Sequence, residues 1–103
     1  MSGLRLVITG GNDAGRFFRL AGVSTIGRDP SAGIVLDDAE VSRRHAVVSV
    51  EERGVVIQDL ESTNGVFVNN ERIDEQRAIA AGDRVQIGAT QLEVRDEPLS
   101  GPG

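Results

Sequence analysis

Short apolar runs with a period of two, separated by Gly, Asn and Asp, occupy most of the chain. Alternation of this kind puts one face of an extended strand in a core and the other face in solvent. The clearest pair of runs, residues 46–50 and 55–57, flanks Glu51-Glu52-Arg53-Gly54, where Gly supplies the turn. Further candidate strands lie at residues 4–8, 16–20, 23–28, 34–36, 66–68, 72–73, 84–87 and 91–94. The sequence therefore predicts an all-β sandwich of short strands.

Length and composition fit one folded domain with a short tail. A chain of 103 residues with 39% apolar residues can bury a single core, and because aromatics are only 3%, that core must consist of Val, Ile, Leu and Ala. We expect the domain to span residues 1–96, and residues 97–103, EPLSGPG, to form a flexible tail or the start of a linker. Residues 74–81 are the one plausible helical segment, and they are too short to bury an amphipathic face.

Charge and residue types exclude several classes of partner. The formal net charge of −5 argues against non-specific binding to nucleic acid or to an anionic membrane. The N-terminus lacks a basic leader, and no run approaches the roughly 20 apolar residues of a membrane-spanning helix. The chain has no Cys and only one His, which leaves no thiolate site and no second soft ligand for a metal. We therefore expect a cytoplasmic protein without metal or cofactor, and without nucleic-acid or membrane partners.

Polar residues cluster at three of the predicted loops between strands, where a sandwich usually carries its function. The clusters are Gly27-Arg28, Ser42-Arg43-Arg44-His45 and Ser62-Thr63-Asn64-Gly65. Ser42 and His45 permit a nucleophile–base pair, but no orienting acid or oxyanion hole is evident, and the alternative is that His45 fixes its loop by hydrogen bonds. Asn64-Gly65 alone would make a hairpin turn, with Ser62 and Thr63 bonding the turn's backbone.

Two other polar segments have simpler interpretations. The acidic run Asp37-Asp38-Ala39-Glu40 lacks the spacing and the closing bidentate Glu of a calcium loop, which favours a solvated run of charges. The Gly-rich segment at residues 10–15 lacks the Gly-Lys-Ser/Thr ending and the strand-to-helix context of a nucleotide loop. We therefore predict a hairpin turn there.

In combination, the polar clusters resemble the motifs of the forkhead-associated (FHA) domain, a phosphothreonine-binding β-sandwich. The motif elements occur in the family's order, and the resemblance covers roughly residue 3 to residue 96. The motif elements are Gly27-Arg28, Ser42-Arg43-Arg44-His45, Asp59-Leu60-Glu61-Ser62-Thr63-Asn64-Gly65 and Val68-Asn69. The resemblance implies an FHA-type sandwich of about eleven mostly antiparallel short strands, with the binding loops at one end.

The resemblance also implies a role for individual residues. Arg28 would pair with the phosphate, Ser42 and Thr63 would donate hydroxyl groups to it, and Asn64 would hydrogen-bond the peptide backbone. Arg43 occupies a position where some members carry Asn, and it could reach either the backbone or the phosphate. The positions that would hold loops in shape are Gly27, His45, Gly65 and Asn69.

The function implied is a phosphothreonine-dependent protein–protein interaction module in serine/threonine-kinase signalling. Its partner would be a phosphothreonine-containing protein or peptide, either a kinase or a kinase substrate. No catalytic residue is needed, because recognition breaks no bond. The alternative is a phosphate-independent scaffold or self-association domain that uses its exposed strands.

Overall fold

The computed structural model describes residues 3–96, which form eleven β-strands and no helix. The strands are β1 (Leu4–Gly10), β2 (Phe17–Arg19), β3 (Val23–Gly27), β4 (Ile34–Val35), β5 (Ala46–Glu51), β6 (Gly54–Asp59), β7 (Val66–Val68), β8 (Glu71–Arg72), β9 (Gln76–Ile79), β10 (Arg84–Ile87) and β11 (Thr90–Asp96). Nothing in this range is a helix that could cross a membrane. The predicted tail, residues 97–103, lies outside the described residues.

The strands form two sheets. The six-stranded sheet has the order β2-β1-β11-β10-β7-β8, and the five-stranded sheet has the order β4-β3-β5-β6-β9. The strand pairs are antiparallel except for β3 and β4, which are parallel. The predicted all-β sandwich of about eleven mostly antiparallel strands is therefore confirmed.

The core follows from the period of two in each strand. Leu6 and Ile8 of β1 are buried, whereas Arg5, Val7 and Thr9 between and beside them are not. The five-stranded sheet behaves in the same way and contributes branched side chains such as Val48 to the same cluster. Each fully buried Val, Leu or Ile contributes about 1.5–3 kcal/mol relative to its exposed state, so aliphatic residues can hold this fold with few aromatics.

Residues 74–81, which had the only helical pattern, contain strand β9 instead. Its residues pair with β6 at the edge of the five-stranded sheet, with Ile79 opposite Val55 and Arg77 opposite Ile57. Ile79 is buried in the core by this pairing. Tertiary pairing therefore decides the conformation of a segment whose local pattern is ambiguous.

Both predicted hairpins are present, and they fix which loops meet. β1 pairs with β2 across the Gly-rich turn, and β5 pairs with β6 across Glu51–Gly54. Because β5 is antiparallel to both β3 and β6, the end of β3, the start of β5 and the end of β6 lie at the same end of the sheet. The loops that carry the three polar clusters are therefore neighbours.

Candidate functional site

The loop between β4 and β5 lies against the loop that follows β3. The Arg28 backbone N–H donates to the Ser42 carbonyl over 3.1 Å, and the Asp29 N–H donates to the Arg43 carbonyl over 3.2 Å. A Cβ on Gly27 would lie 1.9 Å from the Arg43 carbonyl oxygen. Only glycine permits this approach of the two backbones, which brings Arg28 beside the Ser42 loop.

The loop between β6 and β7 meets the same β4–β5 loop from the other side. The Asn64 side-chain amide donates from Nδ2 to the Glu40 carbonyl over 2.7 Å. The Thr63 N–H points toward the Ser42 hydroxyl oxygen at 3.5 Å, at the outer limit of a hydrogen bond. The structure therefore brings Arg28, Ser42, Thr63 and Asn64, predicted from separate motifs, together at one end of the sandwich.

His45 lies beneath these loops and is fully buried. Its Nδ1 accepts a hydrogen bond from the Ser42 N–H at 3.0 Å, and its Nε2 lies 2.7 Å from the Gly65 carbonyl oxygen. This pair of partners requires a neutral imidazole with the proton on Nε2, which donates to that carbonyl. One side chain therefore fixes the β4–β5 loop relative to the β6–β7 turn.

Ser62 is buried, unlike its neighbour Thr63, and it organises the β6–β7 turn. Its hydroxyl donates to the Asp59 carboxylate over 2.7 Å and accepts from the Gly65 N–H at 2.9 Å. The Ser62 N–H donates to the same Asp59 oxygen over 3.1 Å. The interpretation of Ser62 as a residue that bonds the turn therefore matches its contacts. The sequence feature that indicates this role for Asp59 is its position three residues before Ser62.

Gly65 completes this turn with a φ of 80°, in the left-handed region that favours glycine. A Cβ there would also lie 2.6 Å from the Nε of Arg72. Asn69 lies at the far end of β7, away from Ser42 and Thr63. Its side chain donates to Asp83 over 3.1 Å and accepts from the Arg84 N–H at 3.0 Å, while its φ is 52°.

Asp38 corrects the interpretation of the acidic run as solvated. Its side chain is only 7% exposed, and its carboxylate accepts from the Glu40 N–H, the Ala89 N–H and the Thr90 hydroxyl over 2.8–2.9 Å. Burial by itself raises the pKa of Asp38, but the hydrogen bonds that it accepts outweigh burial and lower the pKa below its ordinary value of 3.8. Sequence gave no signal for this anchor, because Ala89 and Thr90 lie on the distant β10–β11 turn.

The remaining side chains at this end face solvent. Arg28, Arg43, Thr63 and Asn64 are exposed, and Ser42 is half-buried. Arg28 Nε donates to the Val41 carbonyl over 3.1 Å, which orients the guanidinium and leaves its Nη hydrogens available. The arrangement thus offers fixed hydrogen-bond donors at one exposed surface, as an anionic group requires.

Asp29 lies beside these cations. Hydrogen bonds from the backbone N–H and the hydroxyl of Ser31 lower the pKa of Asp29 below its ordinary value of 3.8, and the charges of Arg43 and Arg44 act in the same direction. Its carboxylate is therefore an anion at neutral pH that partly offsets the cations around it. Among residues 3–96, no group of acidic or His side chains is arranged to hold a metal ion.

Comparisons with known proteins find matches over most of the chain. The family model described as "Inner membrane component of T3SS, cytoplasmic domain" matches residues 7–98. Glycogen accumulation regulator GarA of Mycobacterium tuberculosis (strain ATCC 25618 / H37Rv) is 39% identical over 100 residues, which are 97% of this chain and 61% of GarA.

Two solved structures share the fold. An FHA domain from a structural and functional analysis of phosphothreonine-dependent FHA domain interactions has a TM-score of 0.83 and 34% identity, covering 94% of this chain and 99% of that one. Mycobacterium tuberculosis EmbR, in complex with a low-affinity phosphopeptide, has a TM-score of 0.85 and 35% identity, covering 96% of this chain and 26% of EmbR.

The chain therefore belongs to the family of FHA domains, as its motifs predicted. It spans 61% of the length of GarA, which is a regulator by name.

Proposed function

We propose that this FHA domain binds phosphothreonine in partner proteins and so links them to serine/threonine-kinase signalling. The observation that carries the proposal is the meeting of Arg28, Ser42, Thr63 and Asn64 at one exposed end of a rigid sandwich. Two similar proteins support it, because one was solved in a study of phosphothreonine-dependent interactions and the other with a bound phosphopeptide.

Each exposed side chain then has a role that its free donors permit. A phosphothreonine carries about −1.5 to −2 charges and three acceptor oxygens near neutral pH. The Nη groups of Arg28 pair with these oxygens, and the hydroxyls of Ser42 and Thr63 donate to those that remain. Asn64 uses one N–H on Glu40, so its other N–H and its Oδ1 are available for the peptide backbone. Arg43, which is also exposed, lies next to Ser42 in the β4–β5 loop and binds either the peptide backbone or the phosphate.

The hydrogen bonds between the loops support tight binding at low entropic cost. Because the β4–β5 loop is already bonded to the loops on both sides, little ordering is left for the moment of binding. The overall charge of −5 repels an anionic peptide at long range, but salt screens that repulsion beyond about 8 Å at physiological ionic strength. The contacts at Arg28 therefore dominate, with little electrostatic acceleration of association.

The geometry around His45 disfavours the alternative of a hydrolase that uses Ser42 as nucleophile and His45 as base. His45 Nδ1 accepts from the Ser42 backbone N–H, and Nε2 faces the Gly65 carbonyl, so neither ring nitrogen faces the Ser42 hydroxyl as a general base. We propose that the domain binds its target without catalysis. Ester hydrolysis that disappears in Ser42→Ala would contradict this.

The partner that fits is a cytoplasmic protein bearing phosphothreonine, either a serine/threonine kinase or its substrate. Titration calorimetry against a phosphothreonine peptide library, with unphosphorylated and phosphoserine counterparts, tests the proposal. We expect binding to require the phosphate and to favour phosphothreonine over phosphoserine, since one methyl group in a fitted pocket contributes about 1–3 kcal/mol. Equal affinity for the unphosphorylated peptides would support the scaffold function instead.

A further inference from the structure

The outer face of the six-stranded sheet is rich in arginine. Strand alternation turns Leu6 and Ile8 into the core, and the residues between them face outward. Three arginines lie opposite one another on this outer side, Arg19 of β2, Arg5 of β1 and Arg95 of β11. One row along the sheet, Arg84 of β10 lies opposite Glu93 of β11. We call this surface the arginine face and define it by Arg5, Arg19, Arg84, Arg95, Phe17 and Phe67.

The charge of the arginine face is opposite to that of the whole chain. Four of the 11 arginines of a chain with net charge −5 lie there. Within the described strands β1, β2, β10 and β11, Glu93 is the only acidic residue at an outward position, and Arg95 Nε donates to it over 2.6 Å. By contrast, the outward positions of β3, β6 and β9 on the other sheet carry no charge in the described chain. The arginines are therefore concentrated, not spread evenly.

Two of the three aromatic residues of the chain also lie on this face. Phe17 is 49% exposed, and the Arg5 guanidinium lies 5.1 Å from the centre of its ring. No described residue accepts a hydrogen bond from the buried Arg5 Nε, so contact with the ring holds this side chain. Arg and aromatic residues are the types most enriched at the centres of protein–protein interfaces.

A groove of about 380 Å³ crosses the same face. Phe67 and Arg84 line it together with polar side chains such as Thr9 and Gln91. None of the residues that line this groove belongs to the loops that carry Arg28, Ser42 or Asn64. The groove therefore combines the apolar Phe67 with one cation, Arg84, and one carboxylate, Glu93, and it is a surface separate from the proposed phosphothreonine site.

We propose that the arginine face is a second docking surface, which binds an acidic segment of a partner protein. Carboxylates of the segment pair with Arg5 and Arg84, and one apolar side chain packs against Phe67 in the groove. Charge complementarity selects an acidic partner, because Glu93 is already neutralised by Arg95. A nucleic acid fits less well, since the chain as a whole is acidic and part of the groove is apolar.

The test uses a short peptide of Asp and Glu with a central Leu, and its Asn/Gln counterpart, titrated into the isotopically labelled chain by NMR. We expect the acidic peptide to shift the amide signals of β1, β10 and β11 and to bind more weakly as the salt concentration rises. The Arg28→Ala variant should show the same shifts and the same affinity for this peptide. Persistence in Arg28→Ala separates this surface from the phosphothreonine site. Shifts confined to the loops around Arg28, or equal binding of the Asn/Gln peptide, would overturn the proposal.

Charge reversal on the face gives the matched comparison. Arg84→Glu should weaken the acidic peptide about tenfold, whereas Arg53→Glu, the same charge change on the β5–β6 turn, should have little effect. Arg84→Glu places two carboxylates opposite each other, because position 84 faces Glu93. If that variant does not fold, Arg84→Gln, which removes the positive charge without adding a negative one, replaces it in the same titration. Equal effects at 84 and 53 would refute the proposal. So would preferential binding of an oligonucleotide, or self-association of the chain through this face.

Discussion

The loop end of the sandwich contains two layers of side chains that differ in exposure and in what they contact. The outer layer, Arg28, Thr63 and Asn64, faces solvent. The inner layer, His45, Ser62 and Asp38, is buried and bonds backbone N–H and C=O groups of these loops and of the neighbouring β10–β11 turn. A single short motif supplies both layers, since Ser62 is buried and Thr63 beside it is exposed.

The difference between the layers separates two kinds of effect. An outer residue can bind a ligand and makes at most one hydrogen bond to these loops, so its loss should change affinity far more than stability. An inner residue holds buried polar groups that would otherwise lack partners, so its loss should first lower the free energy of unfolding. Affinity then falls because the loops shift. Residues adjacent in sequence should therefore give different signatures.

The largest effect is expected at the centre of the inner layer. His45→Ala removes the partners of the Ser42 N–H and the Gly65 carbonyl and leaves a cavity, so we expect the free energy of unfolding to fall by about 4 kcal/mol. Denaturant unfolding measures this. Arg44→Ala, the exposed neighbour, is the control and should change the stability by less than about 0.5 kcal/mol. Equal stability of the two variants would remove the distinction between layers.

The outer layer should show the reverse signature at Arg28. Arg28→Ala removes the guanidinium that pairs with the phosphate, and we expect phosphothreonine-peptide affinity to fall about a hundredfold, as for loss of charge-assisted hydrogen bonds. Stability should fall by less than about 1 kcal/mol, since one bond to the Val41 carbonyl is lost. Calorimetry on Arg28→Ala and on Arg53→Ala, an exposed arginine at the β5–β6 turn, tests this. A folded Arg28→Ala that binds as the parent does would refute the site.

Asp38 adds a pH dependence to the inner layer. Its pKa is lower in the folded chain than its ordinary value of 3.8, so the carboxylate adds stability that is fully present above that value and is lost as pH falls through the folded pKa. We expect Asp38→Asn to cost about 2 kcal/mol at neutral pH and to flatten the stability profile below pH 3.8. Thermal unfolding from neutral to acidic pH measures both effects.

The exposed neighbour of Asp38 provides the comparison. Asp37 differs from Asp38 chiefly in burial, since its side chain faces solvent. Asp37→Asn should leave both the stability and its pH profile close to those of the parent chain. If the two variants behaved alike, the hydrogen bonds to the β10–β11 turn would not be what holds the β4–β5 loop.

Two of the three inner residues have the contacts expected from sequence, since His45 fixes its loop and Ser62 bonds the turn's backbone. A period of two predicted most of the strands, whereas the binding roles of Arg28, Thr63 and Asn64 depend on the resemblance to FHA domains and stay predictions. Asp38 was wrongly interpreted as solvated, because its partners are more than 50 residues away and appear only after β10 and β11 fold. Strand β9 was missed for the same reason, since its partner β6 determines its conformation.

The smallest effect is expected at the border of the outer layer, where the loop after β6 adjoins an acidic groove. The groove, of about 550 Å³, is lined by Asp59, Glu61, Asp74 and Glu75 among others. Asp59 already accepts the hydrogen bonds of Ser62, whereas Glu61 is exposed and held at a φ of 55°. A phosphothreonine peptide that continues along this loop therefore meets carboxylates.

We accordingly expect peptides with Arg downstream of the phosphothreonine to bind a few-fold more tightly than peptides with Asp, because exposed ion pairs contribute about 0.2–1 kcal/mol. Glu61→Arg should reduce or invert this preference without weakening phosphate recognition, since Arg28 is unchanged. Glu52→Arg, the same charge change on the distant β5–β6 turn, should leave the preference as it was. A peptide library that enriches Asp or Glu downstream would show that Arg43 and Arg44 outweigh the groove, and that the border of the outer layer is cationic.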